Sequence, residues 1–204
     1  TANNYLFMPY IPHARQDRNV GGRLFTLKYF AEIINSLNFY YVAALDPHSD
    51  VSGATINRLV PLIEEEICEC FEDVDAIMYP DAGAAKKYAC GVEIPVIIGN
   101  KRRNCEGRIE SYDLLNFVEG AKKVIIRDDI CSYGGTFVAA AKALRERGVE
   151  HITLIVSHCE NNILKGEVFN YIDKVITTDS ICTAKHPKLE IAVQYRTLEG
   201  YPDV

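Results

Sequence analysis

Apolar residues at Leu24, Leu27, Phe30, Ala31, Ile34 and Leu37 recur at three- and four-residue intervals, the spacing that gathers them on one face of a helix. The apolar run Tyr40 to Leu45 follows and predicts a strand, making one helix-strand unit. Ahead of it, Tyr5-Leu6-Phe7-Met8-Pro9-Tyr10 reads as a strand entered almost at once, so we expect further chain before Thr1. Leu59 to Phe71 is predicted as a second helix, with Glu64, Glu65, Glu66 and Glu69 on a solvated face. Ala76 to Tyr79 reads as a strand stopped by Pro80, Ala84 to Ala89 as a helix, and Pro95 to Ile98 as a strand. Val124 to Ile126 is the next strand, and Thr136 to Arg147 is a helix closed by Gly148. Ile152 to Val156, Val175 to Thr178 and Leu189 to Val193 add three more strands. Short, wholly apolar strands alternating with helices predict an α/β fold with mostly parallel sheets. The polar stretch Val51 to Leu59, around Gly53, separates two such series, and we expect domains at 1–57 and 58–204.

Composition narrows the function. The 204 residues are 48% hydrophobic and 25% charged, ordinary for a folded domain, and the net charge is −6. No overall basic field recruits nucleic acid or an acidic membrane surface, so an anionic substrate must be met locally. The apolar runs are strand-sized, far short of the about 20 residues of a membrane span, and no signal peptide is visible. Seven cysteines, an odd number scattered along the chain, predict reduced thiols and a cytoplasmic location. Cys68 and Cys70 have no partner pair at zinc-finger spacing, so no structural zinc is expected.

Five segments carry chemistry. Val124-Ile-Ile-Arg-Asp128-Asp129-Ile-Cys-Ser132-Tyr133-Gly134-Gly135-Thr136 runs from a buried strand through two carboxylates and a glycine turn into a helix. The glycines let backbone amides close around a phosphate, the helix start adds a positive dipole end, and Thr136 offers a hydroxyl. The paired carboxylates can accept hydrogen bonds from vicinal sugar hydroxyls or sit near a metal. In Pro9-Tyr10-Ile11-Pro12-His13-Ala14-Arg15-Gln16-Asp17-Arg18, the arginines can bind phosphate oxygens or stack on a base, and Gln16 can read a polar edge. Asp46-Pro47-His48 directly follows a strand, at the sheet edge where α/β folds bind ligands. Pro80-Asp81-Ala82-Gly83 is placed alike. Lys101-Arg102-Arg103 is a cationic cluster at a strand end, followed by the polar stretch Asn104 to Ser111.

Together these segments resemble the ribose-phosphate pyrophosphokinases, relatives of the type I phosphoribosyltransferases, in order and over nearly the whole chain. The resemblance implies an α/β, type I phosphoribosyltransferase-like fold of two related units, the first incomplete. It implies diphosphate transfer from Mg-ATP to the anomeric hydroxyl of ribose 5-phosphate or a related ribosyl phosphate, with AMP leaving. Arg15, Gln16, Arg18 and His48 would bind ATP. Asp128 and Asp129 would hold the ribose hydroxyls, and Ser132, Tyr133, Gly134, Gly135 and Thr136 would cradle the 5-phosphate. Asp81, Ala82 and Gly83 would form the pyrophosphate loop, His48 and Asp81 would contact Mg²⁺, and Lys101 with Arg103 would be catalytic. A homo-oligomer is implied, with neither nucleic acid nor membrane as partner. The family usually has a small threonine where Tyr133 stands and commonly an acid where Ser132 stands. Three alternatives remain: a pyrophosphokinase for a larger ribosyl acceptor such as ADP-ribose, a phosphoribosyltransferase, and a non-catalytic regulatory homologue.

Overall fold

The computed structural model describes residues 4–63, 73–103 and 109–195, with the side chains of Arg103 and Ile109 outside that description. The chain divides into two compact units, Thr1–Glu65 and Glu66–Val204.

The first unit is a parallel sheet of order β1-β2-β3, formed by β1 (Tyr5–Met8), β2 (Tyr41–Leu45) and β3 (Leu59–Leu62). Helix α1 (Thr26–Ser36) buries Leu27, Ala31 and Ile34, which pack with Met8, Val42, Ala44 and Ile56. Leu24 and Leu37 share the helical period yet stay exposed, because both lie beyond the helix ends. A short helix α2 (Asp50–Thr55) occupies the stretch read as a polar boundary. The segment from Leu59 does not begin a helix: Leu59 to Leu62 pair in register with Val42 to Leu45 as the third strand. A β-branched residue and a proline fit this extended edge strand, and 64–71 of the predicted helix lie outside the described residues.

The second unit is a seven-stranded sheet of order β10-β9-β8-β7-β4-β5-β6. Its elements are β4 (Ala76–Tyr79), α3 (Ala82–Tyr88), β5 (Val96–Arg103), β6 (Ile109–Leu115), β7 (Lys123–Cys131), α4 (Gly135–Glu146), β8 (His151–Cys159), a 3-10 turn (Asn161–Lys165), α5 (Val168–Tyr171), β9 (Lys174–Thr178) and β10 (Leu189–Val193). All pairings are parallel except β5 with β6. Ala76 to Tyr79 of β4, Val124 to Ile126 of β7 and Leu154 to Val156 of β8 are apolar and buried, as expected of parallel strands covered on both faces. On one face, Val124, Ile126, Leu154 and Val156 meet Phe137, Ala140, Ala141 and Leu144 of α4.

Two differences from the predicted elements matter for chemistry. The strand predicted at Pro95 to Ile98 runs on through Lys101 to Arg103, which form one arm of an antiparallel ribbon, in which Lys101 lies opposite Tyr112. Likewise β7 extends past Ile126 through Asp128 and Asp129 to Cys131, so the carboxylates sit on a rigid strand. Among the described residues no helix is long and apolar enough to cross a membrane.

Candidate active site

Strand order sets the location of the site in the second unit. From β4 the chain moves outward to β5 and β6, then returns to β7 on the other side of β4 and proceeds to β8, β9 and β10. Loops leaving β4 and β7 therefore diverge and open a crevice at their carboxyl ends, the topological switch point where open α/β sheets bind ligands. Pro80 to Gly83 leave β4 here, and Ser132 to Thr136 leave β7.

Asp81 is the hub of the first loop. Its Oδ1 accepts the Ala84 amide at 3.0 Å and so caps α3, while Oδ2 receives Lys101 Nζ at 2.7 Å. Burial works to raise this carboxyl, but the Lys101 ammonium and the helix amides outweigh it and hold it below the usual range. The ammonium is delivered by β5, which pairs with β4 directly beneath the loop. Ala82 and Gly83 form the exposed first turn of α3.

Asp128 behaves oppositely. Burial pushes its carboxyl well above the ordinary value; the charge of Asp129 pushes in the same direction, as does that of Asp81, against one backbone hydrogen bond accepted from the Asp129 amide at 3.0 Å. Beneath it the buried Arg127 donates to the Asp128 carbonyl at 2.7 Å and to Ser157 Oγ at 3.1 Å, with its guanidinium 4.6 Å from the centre of the Tyr88 ring. Neither Arg127 nor Ser157 was expected to serve the site, because an arginine inside an apolar strand carries no local signal of what it meets.

The turn after β7 is built by close packing. Gly134 has φ +79°, and a Cβ there would lie 2.0 Å from Val168 Cγ2, so this position admits only glycine. A Cβ on Gly135 would meet nothing within 4 Å, which leaves open space over the first amides of α4. Thr136 is half-buried and the Tyr133 ring is exposed. Ser132 Oγ donates to Glu160 Oε2 at 2.5 Å, and the Glu160 amide donates to the Cys131 carbonyl at 2.8 Å. Glu160, on the segment after β8, places a carboxylate beside the loop that the local sequence around Ser132 lacks.

In the first unit the arginine segment is tied down. Asp17 receives Arg18 Nε at 2.8 Å and Nη2 at 3.0 Å, and also Ser49 Oγ at 2.7 Å, which joins this segment to the turn after β2. The Arg18 hydrogen bond is the main cause holding the buried Asp17 carboxyl at about 2. Gln16 Oε1 accepts from Thr26 Oγ1 at the start of α1, while Arg15 is exposed. Asp46 is fully buried with φ +41°, a left-handed conformation costly outside glycine, and it turns the chain at the end of β2 toward a half-buried His48.

The predicted residues thus fall into two groups. Arg15, Gln16, Arg18 and His48 belong to the first unit. Asp81 to Gly83, Lys101, Asp128, Asp129 and Ser132 to Thr136 share one crevice of the second, and the Arg103 side chain lies outside the described residues. Among the described residues no three His, Cys, Asp or Glu side chains gather into a complete metal site. The charges of Asp129 and Asp81 push the Asp128 carboxyl up, and a Mg²⁺ arriving with phosphate and water ligands of its own would offset that repulsion.

A parallel sheet with its switch-point crevice, a diacid strand and a glycine turn into a helix defines an α/β protein of the type I phosphoribosyltransferase-like fold. No family model matches the chain. It is 32% identical over 209 residues to the ribose-phosphate pyrophosphokinase of Vibrio vulnificus strain YJ016, covering 95% of this chain and 66% of that one. The Vibrio cholerae enzyme of that name is 32% identical over 194 residues, covering 87% of this chain and 61% of the relative. The phosphoribosylpyrophosphate synthetase from Mycobacterium smegmatis superposes with a TM-score of 0.76 at 21% identity, over 95% of this chain and 68% of that chain. The chain belongs to the ribose-phosphate pyrophosphokinase family. It spans about two thirds of the length of the curated relatives it matches.

Proposed function

We propose that the chain transfers a diphosphate from Mg-ATP to the anomeric hydroxyl of a ribose 5-phosphate-like sugar, releasing AMP. The observation that carries this reading is the meeting of Lys101 with Asp81 at 2.7 Å, in the crevice that also holds Asp128, Asp129 and the β7–α4 turn. A sugar whose hydroxyls are held by Asp128 and Asp129, with its phosphate on the amides of Gly135 and Thr136, presents its anomeric oxygen toward the Asp81 loop. Lys101, mounted on a strand, can move its ammonium from Asp81 to the transferring phosphoryl group and offset the charge that grows there. Mg²⁺ bound to ATP would neutralise phosphate oxygens and draw on Asp81 as a ligand. Arg15, Gln16, Arg18 and His48 are the residues we propose for ATP.

One observation favours a second acceptor. Glu160 sits 2.5 Å from Ser132 Oγ, at the edge of the loop that would receive the sugar phosphate. A carboxylate there disfavours the second charge of a terminal phosphate more than the single charge of a phosphodiester, and the exposed Tyr133 ring can stack on a base. ADP-ribose meets both conditions. AMP release from Mg-ATP, measured with ribose 5-phosphate and ADP-ribose as separate acceptors, tests both readings. Acceptor-dependent AMP establishes diphosphate transfer and names the sugar, whereas ATP consumption that ignores both sugars defeats the proposal.

A further inference from the structure

We propose that Tyr112 is a positioning residue that latches the β5–β6 ribbon onto the Pro80–Asp81 loop and so sets where Lys101 meets the transferring phosphate. Its role in turnover rests on the function proposed above; the latch itself does not. Tyr112 lies directly opposite Lys101 across the antiparallel ribbon, so both side chains leave the same face. Both end on the same loop: Lys101 Nζ on the Asp81 carboxylate at 2.7 Å, and Tyr112 Oη on the Pro80 carbonyl at 2.9 Å. The phenol reaches that carbonyl across Gly99, two residues before Lys101 on β5. A Cβ at Gly99 would stand 2.1 Å from Tyr112 Oη and 2.7 Å from the Pro80 carbonyl, so the hydrogen bond occupies the space a side chain would need. Tyr112 also packs with Leu114 against the main core, which anchors the ribbon at its base. Burial, with the nearby charges of Asp81 and Asp128, drives the phenol far above its ordinary pKa, so it remains a donor at any working pH.

A single hydrogen bond to a loop carbonyl holds geometry and touches no reacting atom. Its loss should therefore slow turnover more than it weakens binding. For the whole chain, Tyr112→Phe should lower kcat about tenfold while the KM values for ATP and acceptor stay within about twofold. Amide exchange in 96–102 and 110–115 should speed up about fivefold, with β8 and β9 unaffected. Gly99→Ala, which keeps the hydroxyl but expels the ring, should cost at least as much. Tyr112→Phe added to Gly99→Ala should be no worse than Gly99→Ala alone, because both act on the one hydrogen bond to Pro80. Unchanged ribbon exchange in Tyr112→Phe overturns the latch. Faster exchange with unchanged kcat overturns the positioning role, as does a loss confined to KM. If the unaltered chain releases no AMP with either sugar, the proposed function falls, and the exchange comparison still decides the latch.

Discussion

Two carboxylates, Asp17 and Asp128, show how position governs charge in this protein. Asp17 is held at about 2 by Arg18 and Ser49, against an ordinary value of 3.8. A lowered folded-state pKa gives stability that is complete above the unfolded value and is lost as pH falls from 3.8 toward 2. Because Arg18 is largely solvated, this contribution is discounted to about 1 kcal/mol. Asp17→Asn should lower the unfolding free energy obtained from urea melts at pH 7 by that amount, with the gap to the unaltered chain closing near pH 2. Asp128 has the opposite sign: with its folded pKa raised, it costs stability as pH climbs above the unfolded value. Asp128→Asn should therefore raise Tm at pH 7, while weakening sugar binding at least tenfold. Calorimetry and acceptor KM measure the two effects, and a fall in Tm would contradict the charge argument. Lys101→Ala should reduce kcat by about 10²-fold or more with little change in KM, as expected of a group that acts mainly on the transition state.

At the scale of elements, the turn between β7 and α4 separates two glycines that look equivalent in sequence. Gly134 combines a left-handed backbone with contact to Val168, whereas Gly135 faces open space. Gly134→Ala should destabilise the fold by about 2 kcal/mol or more through strain and overpacking. Gly135→Ala should leave Tm within about 1 °C and raise the acceptor KM by crowding the amides we propose for phosphate. Thermal melts and initial rates on the two variants check the contrast. The β5–β6 ribbon belongs to this scale too. The run from Lys101 looks like a loop because its polar residues follow a short apolar strand, yet antiparallel pairing with 109–115 makes it a strand. Local polarity described the solvated side of the ribbon, and pairing supplied its backbone partners.

For the whole molecule, the proposed use of Mg-ATP bears on metal dependence. No complete metal cage exists among the described residues, and the site carboxylates repel one another. EDTA alone should leave Tm unchanged, MgCl₂ alone should raise it little, and Mg²⁺ with ATP should raise it by several degrees through ligand linkage. A large loss of Tm on chelation would reveal a structural ion instead. The unit boundary is set by pairing as well. Leu59 to Leu62 look helical in isolation, where Ile56, Leu59, Val60 and Ile63 nearly fit the helical period, but their partner is β2 of the first sheet. The first unit consequently extends to Glu65.

Read alone, the sequence determined the α/β alternation, the buried strands, α1, α4 and the motifs that resemble pyrophosphokinase segments. Periodicity, glycine turns and the order of charged residues are local properties that survive without a fold. Only the tertiary structure decided which residues meet: Asp81 with Lys101 across 20 positions, Ser132 with Glu160 across 28, and Tyr112 with Pro80 across 32. Such contacts arise from strand order and register, which bring distant residues to one sheet edge and leave no trace in the local pattern.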